Sequence, residues 1–296
     1  MTTLSLNVDE AITMATRAGD TRVTRAAMLM AYGWNCSIEA SEADFHLDGF
    51  IQLINAPRDP TPTQMDAFRD DYRAWIIGNG FRELVAALEP LLDFVHMVIA
   101  YADARMKNKR SRDANQACDK FERHGLALKF DQLRRRHGID TRLSDHFETL
   151  TQARNCLTHR GGIVTDKDCN TGDGLRITWL GFDSSITEGG GREHVLTLDS
   201  KGPIDSSKFE GEDNPKLNIE WVNREALFRP GRRIYLPPRT LQEICHMGSL
   251  VCAELNRHAI NWFLDHGVNV NGGVPVPPPK VEIYLDAIDP DDGNDK

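Results

Sequence analysis

The chain has 296 residues and a formal net charge of −9, and hydrophobic residues make up 40% of its length. This length is sufficient for one large domain or two modest ones, each with a buried core. The negative charge argues against general, nonspecific binding of nucleic acid. Residues Met1 to Val8 lack the apolar stretch of a secretory signal peptide, so we expect a cytoplasmic protein.

The first 160 residues have the spacing of apolar side chains that is typical of helices. A Pro-rich break at 57–62 separates the first predicted helix from the others, and Pro90 is expected to kink a helix or lie near a helix start. The predicted helices cover residues 21–34, 63–77, 81–106, 113–123, 126–137 and 144–159.

The most apolar stretch of the chain, residues 84–102, is interrupted by polar residues and one proline. They are Glu89, Pro90, Asp93 and His96. A membrane span requires about 20 mainly apolar residues, so this stretch predicts a buried helix, and we expect no membrane partner.

The chain changes character after residue 165, where glycines separate short runs of strand-forming residues. Strands are predicted at 175–182, 194–198, 217–222, 233–236 and 281–285, and a helix at 241–265. The apolar stripe of that helix is Leu241, Ile244, Gly248, Val251, Leu255 and Phe263. The predicted fold is mainly α: a helical bundle (1–165), a small antiparallel β extension with a closing C-terminal helix (166–268), and a Pro-rich, acidic tail (269–296).

The chain has six cysteines, at positions 36, 118, 156, 169, 245 and 252. They form no C-x-x-C pair, and their spacing shows no regular disulfide framework. Without a secretory signal they predict reduced thiols. No ligand spacing of Cys and His predicts a zinc site, so we expect neither a metal nor another cofactor.

Positive charge is concentrated between residues 101 and 160, which carry 14 Lys and Arg against 8 Asp and Glu. The positive charge includes two basic runs, at 105–112 and 134–137. Taken alone, each run is explained as a solvated helix or loop surface. Because both runs lie in the same segment as an Arg/His motif, they predict contacts to phosphate groups. The predicted contacts are Lys107, Lys109, Arg110, Arg134, Arg135 and Arg136.

The motif is the run Arg154-Asn155-Cys156-Leu157-Thr158-His159, which precedes Arg160 and two glycines. Ser144 is a suitable N-cap for its helix, and Gly161 suits the left-handed residue past its end. At about 100° per residue, Leu143, Phe147, Leu150, Ala153 and Leu157 share one face, which we expect to be buried. Glu148, Gln152, Asn155 and His159 fall on the opposite side.

This arrangement suits the cleavage of a phosphodiester without a metal. His159 can accept the proton of a 2′-hydroxyl, and Arg154 can stabilise charge on the phosphate oxygens. Asn155, one turn from His159, can orient the imidazole ring, and Arg160 can add a phosphate contact. Alternatively, His159 only caps the helix, Arg154 pairs with a carboxylate and Asn155 faces solvent. Cys156 as a nucleophile is less favoured than a small buried side chain.

Arg154-Asn155-x-x-x-His159, near the end of a late helix in a basic helical segment, resembles the motif of the HEPN superfamily. The resemblance covers about residues 80–165 and implies a compact helical bundle that dimerises. Many members are metal-independent endoribonucleases of toxin–antitoxin, abortive-infection and CRISPR-linked systems. The resemblance implies that Arg154 and His159 are catalytic and that Asn155 is the polar motif residue. The β-rich segment and the closing helix are not part of the minimal fold.

The resemblance also allows an alternative, because the superfamily contains inactive members that serve as binding modules. In that case the protein is a catalytically silent domain that binds nucleotide, RNA or a partner protein, or a purely structural interaction protein. For an active enzyme we expect a homodimer through the polar faces of two Arg154–His159 helices, with the basic segment on both sides of the cleft. The expected partners are RNA and a cognate antitoxin or defence-system protein.

Overall fold

The computed structural model describes residues 8–39, 61–139, 141, 143–187, 193–196 and 216–267. The described residues form α1 (Val8–Glu39), α2 (Pro62–Met106), α3 (Ser111–Glu122), α4 (Leu126–His137), α5 (Ser144–Arg160), β1 (Leu175–Thr187), β2 (Glu193–Leu196), β3 (Lys216–Phe228) and α6 (Pro238–Asp265). The predicted fold class is confirmed: a mainly helical protein with a small antiparallel sheet and a C-terminal helix. The predicted strand at 281–285 and the tail 269–296 lie outside the described residues.

The central element is α2, a helix of 45 residues that begins with a capping box between Thr61 and Gln64. It contributes large buried side chains along most of its length, among them Phe81, Leu88 and Ile99. Pro90 lies inside the helix on its exposed side. The carbonyl that loses its helical partner there belongs to the exposed residue 86, so it can bond to water and the helix continues.

The prediction that residues 62–106 form two helices is wrong, because the glycines at 78 and 80 are packing positions and not helix ends. A Cβ on Gly78 would lie 3.2 Å from Leu157 Cβ in α5, and a Cβ on Gly80 would collide with the side chain of Met30 in α1. The two glycines therefore let α1 and α5 approach the α2 backbone closely.

By length and composition α2 could cross a bilayer, and 56% of its most apolar window is buried inside the fold. The core helix of a globular protein passes the same test. The predicted buried helix at 84–102 is part of α2, and His96 within it is 3% exposed.

The closing helix α6 packs against α1 and α2, and every residue of its predicted apolar stripe is buried. At Gly248 a Cβ would lie 2.8 Å from Leu84 of α2 and 3.2 Å from Val23 of α1, so three helices meet there. The hydrophobic core is therefore continuous across the predicted domain boundary at residue 165.

The three strands form an antiparallel sheet in the order β2-β1-β3, with β1 and β3 paired from Leu175 with Phe228 to Thr187 with Lys216. The predicted strand at 233–236 is wrong. Arg233 forms a single bridge with Ile163, and the N–H of Ile234 donates to the carbonyl of Gly162 at 2.8 Å. This segment thus pairs with the chain that leaves α5, and not with the sheet.

A polar network around Glu243 joins the sheet to α6. The Glu243 side chain is 1% exposed, and it accepts hydrogen bonds from Trp179 Nε1 at 2.7 Å, Arg224 Nε at 3.1 Å and Arg239 Nε at 3.2 Å. Since a buried carboxylate requires compensating partners, these bonds fix the position of β1 and β3 on the helix.

Candidate functional site

The motif helix α5 ends as its sequence predicts. Gly161 has a left-handed backbone, with φ of 59°, and the N–H of Gly162 donates to the Cys156 carbonyl at 3.2 Å. The predicted N-cap is wrong by one residue, because Leu143 occupies the cap and Ser144 is the first helical residue. Leu143 is buried, so the start of α5 is fixed by apolar packing and not by a side-chain cap.

One face of α5 is buried and a narrow stripe is open. All five residues of the predicted buried face are buried: Leu143, Phe147, Leu150, Ala153 and Leu157. Glu148, Thr158 and His159 are exposed, and Asn155 is half-buried between them. The stripe therefore presents His159 to solvent, with Asn155 one helical turn below.

Arg154 lies on the other side of this stripe from His159. The two residues are five positions apart, which corresponds to about 140° around the helix and about 7.5 Å along it. Arg154 is half-buried, and its Nε is buried with no hydrogen-bond partner among the described residues. In one protomer, the two side chains thus flank Asn155 and Thr158.

The polar face is narrower than predicted, because β1 covers one edge of α5. Gln152 Oε1 accepts a hydrogen bond from Asn170 Nδ2 at 2.6 Å. Thr149 Oγ1 accepts from the N–H of Thr178 in β1 at 3.0 Å, and His146 Nδ1 lies 2.9 Å from Thr178 Oγ1. Gln152 is therefore part of the contact with the β extension and not of the open stripe.

Arg160, predicted to contact phosphate, is paired inside the protein. Its guanidinium makes two hydrogen bonds to Asp168, one of them from Nε at 2.8 Å. Asp168 is 6% exposed and also accepts from the N–H and the hydroxyl of Thr165. Burial raises the pKa of Asp168, but the bonds from Arg160 and Thr165 outweigh it and hold the pKa below its usual value. An RNA phosphate would have to compete with this pair for Arg160.

Cys156 is fully buried. This agrees with the prediction that it is a small buried side chain and not a nucleophile. Burial, followed by the nearby Asp168 carboxylate, raises the pKa of the thiol to about 11. A thiolate is the reactive form of cysteine, so this side chain is poorly suited to attack a substrate.

Three arginines that sequence reasoning missed lie beside the end of α5. The turn at 229–233 pairs with the chain that leaves the helix: Val164 N–H donates to the Arg232 carbonyl at 2.9 Å, and Gly231 N–H to the Val164 carbonyl at 2.8 Å. Arg229, Arg232 and Arg233 are exposed, and Arg233 forms an ion pair with Asp71 at 2.7 Å. The sequence Arg-Pro-Gly-Arg-Arg at 229–233 indicates a basic turn, but nothing in the sequence predicts that this turn lies beside α5.

The predicted basic runs lie far from the motif. The motif end of α5 packs on α2 at Gly78, where Leu157 lies, whereas Lys107 follows the end of α2. The 29 residues from Gly78 to Lys107 correspond to about 43 Å of helix. The runs therefore do not flank His159 within one protomer.

At the far end of α2 the basic residues have different surroundings. Lys107, Lys109 and Arg136 line a cavity that also contains three histidines. Arg134 and Arg135 both pair with Asp131, at 3.1 Å and 2.8 Å, and Arg110 is the exposed N-cap residue of α3. Among the described residues, no three His, Cys, Asp or Glu side chains are grouped as metal ligands.

Comparison with protein-family models, with curated proteins and with solved structures found no match for this chain. The resemblance to the HEPN superfamily therefore rests on the motif Arg154-Asn155-x-x-x-His159 and on its place at the end of a helix in a helical bundle.

Proposed function

We propose that the protein is a metal-independent endoribonuclease of HEPN type, acting in a toxin–antitoxin or phage-defence setting in the cytoplasm. The observation that carries this proposal is the open stripe of α5. It presents His159 to solvent above Asn155, with Arg154 on the opposite side of the stripe. A base, a polar orienting group and a cation lie within two turns of one helix.

In the proposed reaction His159 accepts the proton of an RNA 2′-hydroxyl, and the oxygen bonds to the adjacent phosphorus. The bond from phosphorus to the 5′-oxygen breaks, and this oxygen takes a proton to leave as a 5′-hydroxyl. The other product is a 2′,3′-cyclic phosphate. Arg154 stabilises the charge that develops on the non-bridging oxygens.

The reaction is faster when a second histidine protonates the leaving oxygen while the first accepts a proton. A two-fold contact between the open stripes of two α5 helices supplies it, and it places Arg154 of one copy near His159 of the other. The exposed arginines 229 and 232 lie beside the same helix end, where they can attract the RNA backbone.

The proposal is tested by measuring cleavage of a mixed-sequence RNA by the purified full chain. His159→Ala and Arg154→Ala should each lower the rate by about 10²-fold or more, the effect of removing a general base or a charge-stabilising donor. EDTA should not inhibit, and a 2′-deoxy nucleotide at the cut site should prevent cleavage there.

The matched control is Arg82→Ala, an exposed arginine on α2 that lies outside the stripe. It should keep wild-type activity, and circular dichroism should show that all three variants are folded. Full activity in folded His159→Ala and Arg154→Ala would refute the assignment. RNA binding without cleavage by the wild type would favour the silent binding module.

A further inference from the structure

A cavity of about 380 Å³ lies where α2, α3, α4 and α6 meet. Its lining is rich in basic and imidazole side chains: His96, Lys107, Lys109, Arg136, His137 and His266. A larger cavity of about 540 Å³ between α1 and α6 is lined mainly by apolar groups such as Met28, Trp34 and Leu241. Of these two cavities in the described part of the chain, the smaller is the one whose lining carries cations.

His96 is the most unusual residue of this cavity, because it is 3% exposed and stacks on Phe121 with ring centroids 4.0 Å apart. Neither of its ring nitrogens has a hydrogen-bond partner of regular geometry among the described residues, although the Ala117 carbonyl lies close by. His137, 5.7 Å away between ring centroids, likewise has a buried Nε2 without a partner. Buried polar groups normally have partners, so the His96 nitrogen that does not face the Ala117 carbonyl and Nε2 of His137 indicate a ligand.

The charges around the two rings favour an anion. Three cations, Lys107, Lys109 and Arg136, line the cavity together with two carboxylates, Asp103 and Asp113. Asp103 is paired with Lys107 at 2.6 Å, and among the described residues neither Lys109 nor Arg136 forms an ion pair with a carboxylate. The lining thus has an excess of positive charge even when every histidine is neutral.

His96 and His137 are suited to donate hydrogen bonds and not to add charge. Burial, followed by the nearby His137 and Arg136, lowers the pKa of His96 to about 4. Burial also lowers the pKa of His137, with Arg136, Lys107 and His266 acting in the same direction and Asp103 against it. A neutral imidazole keeps one N–H donor, which can bond to an anionic oxygen.

We propose that this cavity binds a phosphate monoester of the size of a mononucleotide, with its phosphate held by Lys109, Arg136 and the N–H groups of His96 and His137. Arg offers two parallel donors to a phosphate and Lys a point charge, which together suit a dianion. The volume is at the lower end of the range for small-molecule sites. The site is independent of the proposed nuclease activity, because it lies at the other end of α2.

The binding test uses isothermal titration calorimetry on the purified full chain with inorganic phosphate, AMP, adenosine and a short 5′-hydroxyl RNA as probes. AMP should bind, and adenosine, which lacks the phosphate, should not. Tighter binding of AMP than of phosphate supports a nucleotide site, and equal binding limits it to the phosphate group. Binding of RNA alone, or of none of the probes, would overturn the proposal.

Arg136→Ala and Lys109→Ala should each weaken AMP binding at least about tenfold, as expected for loss of a charge-assisted hydrogen bond. Arg134→Ala is the matched control, since Arg134 lies on the same helix, pairs with Asp131 and does not line the cavity. An equal loss in Arg134→Ala would indicate only general charge attraction. His137→Gln, which keeps an N–H donor, should bind more tightly than His137→Leu.

Discussion

The two ends of the bundle combine the same residue types, arginine and histidine, in opposite environments. At the end of α5, His159 is exposed and Arg154 is half-buried along an open stripe. At the far end of α2, His96 is 3% exposed and His137 is half-buried, in a cavity bounded by four elements. The first arrangement is a surface stripe and the second is a half-open pocket.

This difference explains why we assign the two ends to different ligands. An open stripe does not surround a phosphate, so it requires a polymer or a second copy of the chain to complete it. A concave pocket can contact a small ligand from several sides without a second copy of the chain. Arginine and histidine therefore serve the proposed cleavage at one end and the proposed ligand binding at the other.

The largest expected effect concerns the open end. If two α5 stripes form one site, mixing His159→Ala with Arg154→Ala protein should restore part of the activity that each variant lacks. Heterodimers then contain a cleft with one Arg154 and one His159, contributed by different copies, whereas each variant alone lacks one of the two residue types and has lost about 10²-fold or more. Cleavage by the mixture, measured against each variant alone, checks this.

Light scattering should give twice the chain mass of 33.3 kDa for the wild type. A monomer that cleaves RNA at the full rate would exclude the composite site, and a mixture no more active than its components would exclude a cleft that works with one copy of each residue. The pocket end should be unaffected, so AMP affinity should be equal in both variants.

The second prediction concerns the pocket end and the dependence of stability on pH. Below pH 6.5 the unfolded chain gains a proton at His96, whereas the folded protein, with a pKa of about 4, does not. The contribution of neutral His96 to stability is therefore present above pH 6.5 and is lost as the pH falls toward 4, by about 3 kcal/mol. His96→Met should lose correspondingly less stability over this range.

Urea unfolding at several pH values, in buffers without phosphate, measures this difference. His246→Met is the control, because His246 is an exposed histidine on α6 and should keep the wild-type dependence on pH. If His96→Met and the wild type respond identically, His96 is not the buried neutral group that the pocket requires.

Local features could be predicted well from the sequence, but contacts between elements that are distant in the chain could not. The bounds of α4 were predicted to the residue, because Gly125 and Gly138 enclose a regular apolar pattern. The prediction of two helices in place of α2 was wrong, because Gly80 packs against Met30 of α1, fifty residues earlier in the chain.

The same limit applies to the two sites. The open stripe of α5 follows from helical spacing within one element, so Asn155 and His159 could be placed on it. The pairing of Arg160 with Asp168 and the covering of Gln152 by Asn170 depend on how the chain turns after the helix. The pocket around His96 requires α3, α4 and α6 together, and no single segment of the sequence carries that information.

The smallest expected effect is at the end of α5. Gly161 has φ of 59° with no atom near its Cβ position, so Gly161→Ala should cost about 1 kcal/mol from backbone strain alone. The strain loosens the turn that carries His159, so cleavage should also fall while AMP affinity is unchanged. Gly172→Ala, in similarly open space without a positive φ, should change neither. Thermal unfolding and both assays distinguish these outcomes, and equal losses of cleavage and AMP binding would contradict the separation of the two ends.

The burial of Cys156 has a practical consequence for labelling the protein. Three thiols, those of Cys156, Cys245 and Cys252, are buried with pKa values raised by burial to about 11, 12 and 12, whereas Cys36, Cys118 and Cys169 are only half-buried. Maleimide dyes react with thiolates that solvent can reach. A fluorophore can therefore be attached near neutral pH while the helix that carries Arg154 and His159 keeps its native side chains.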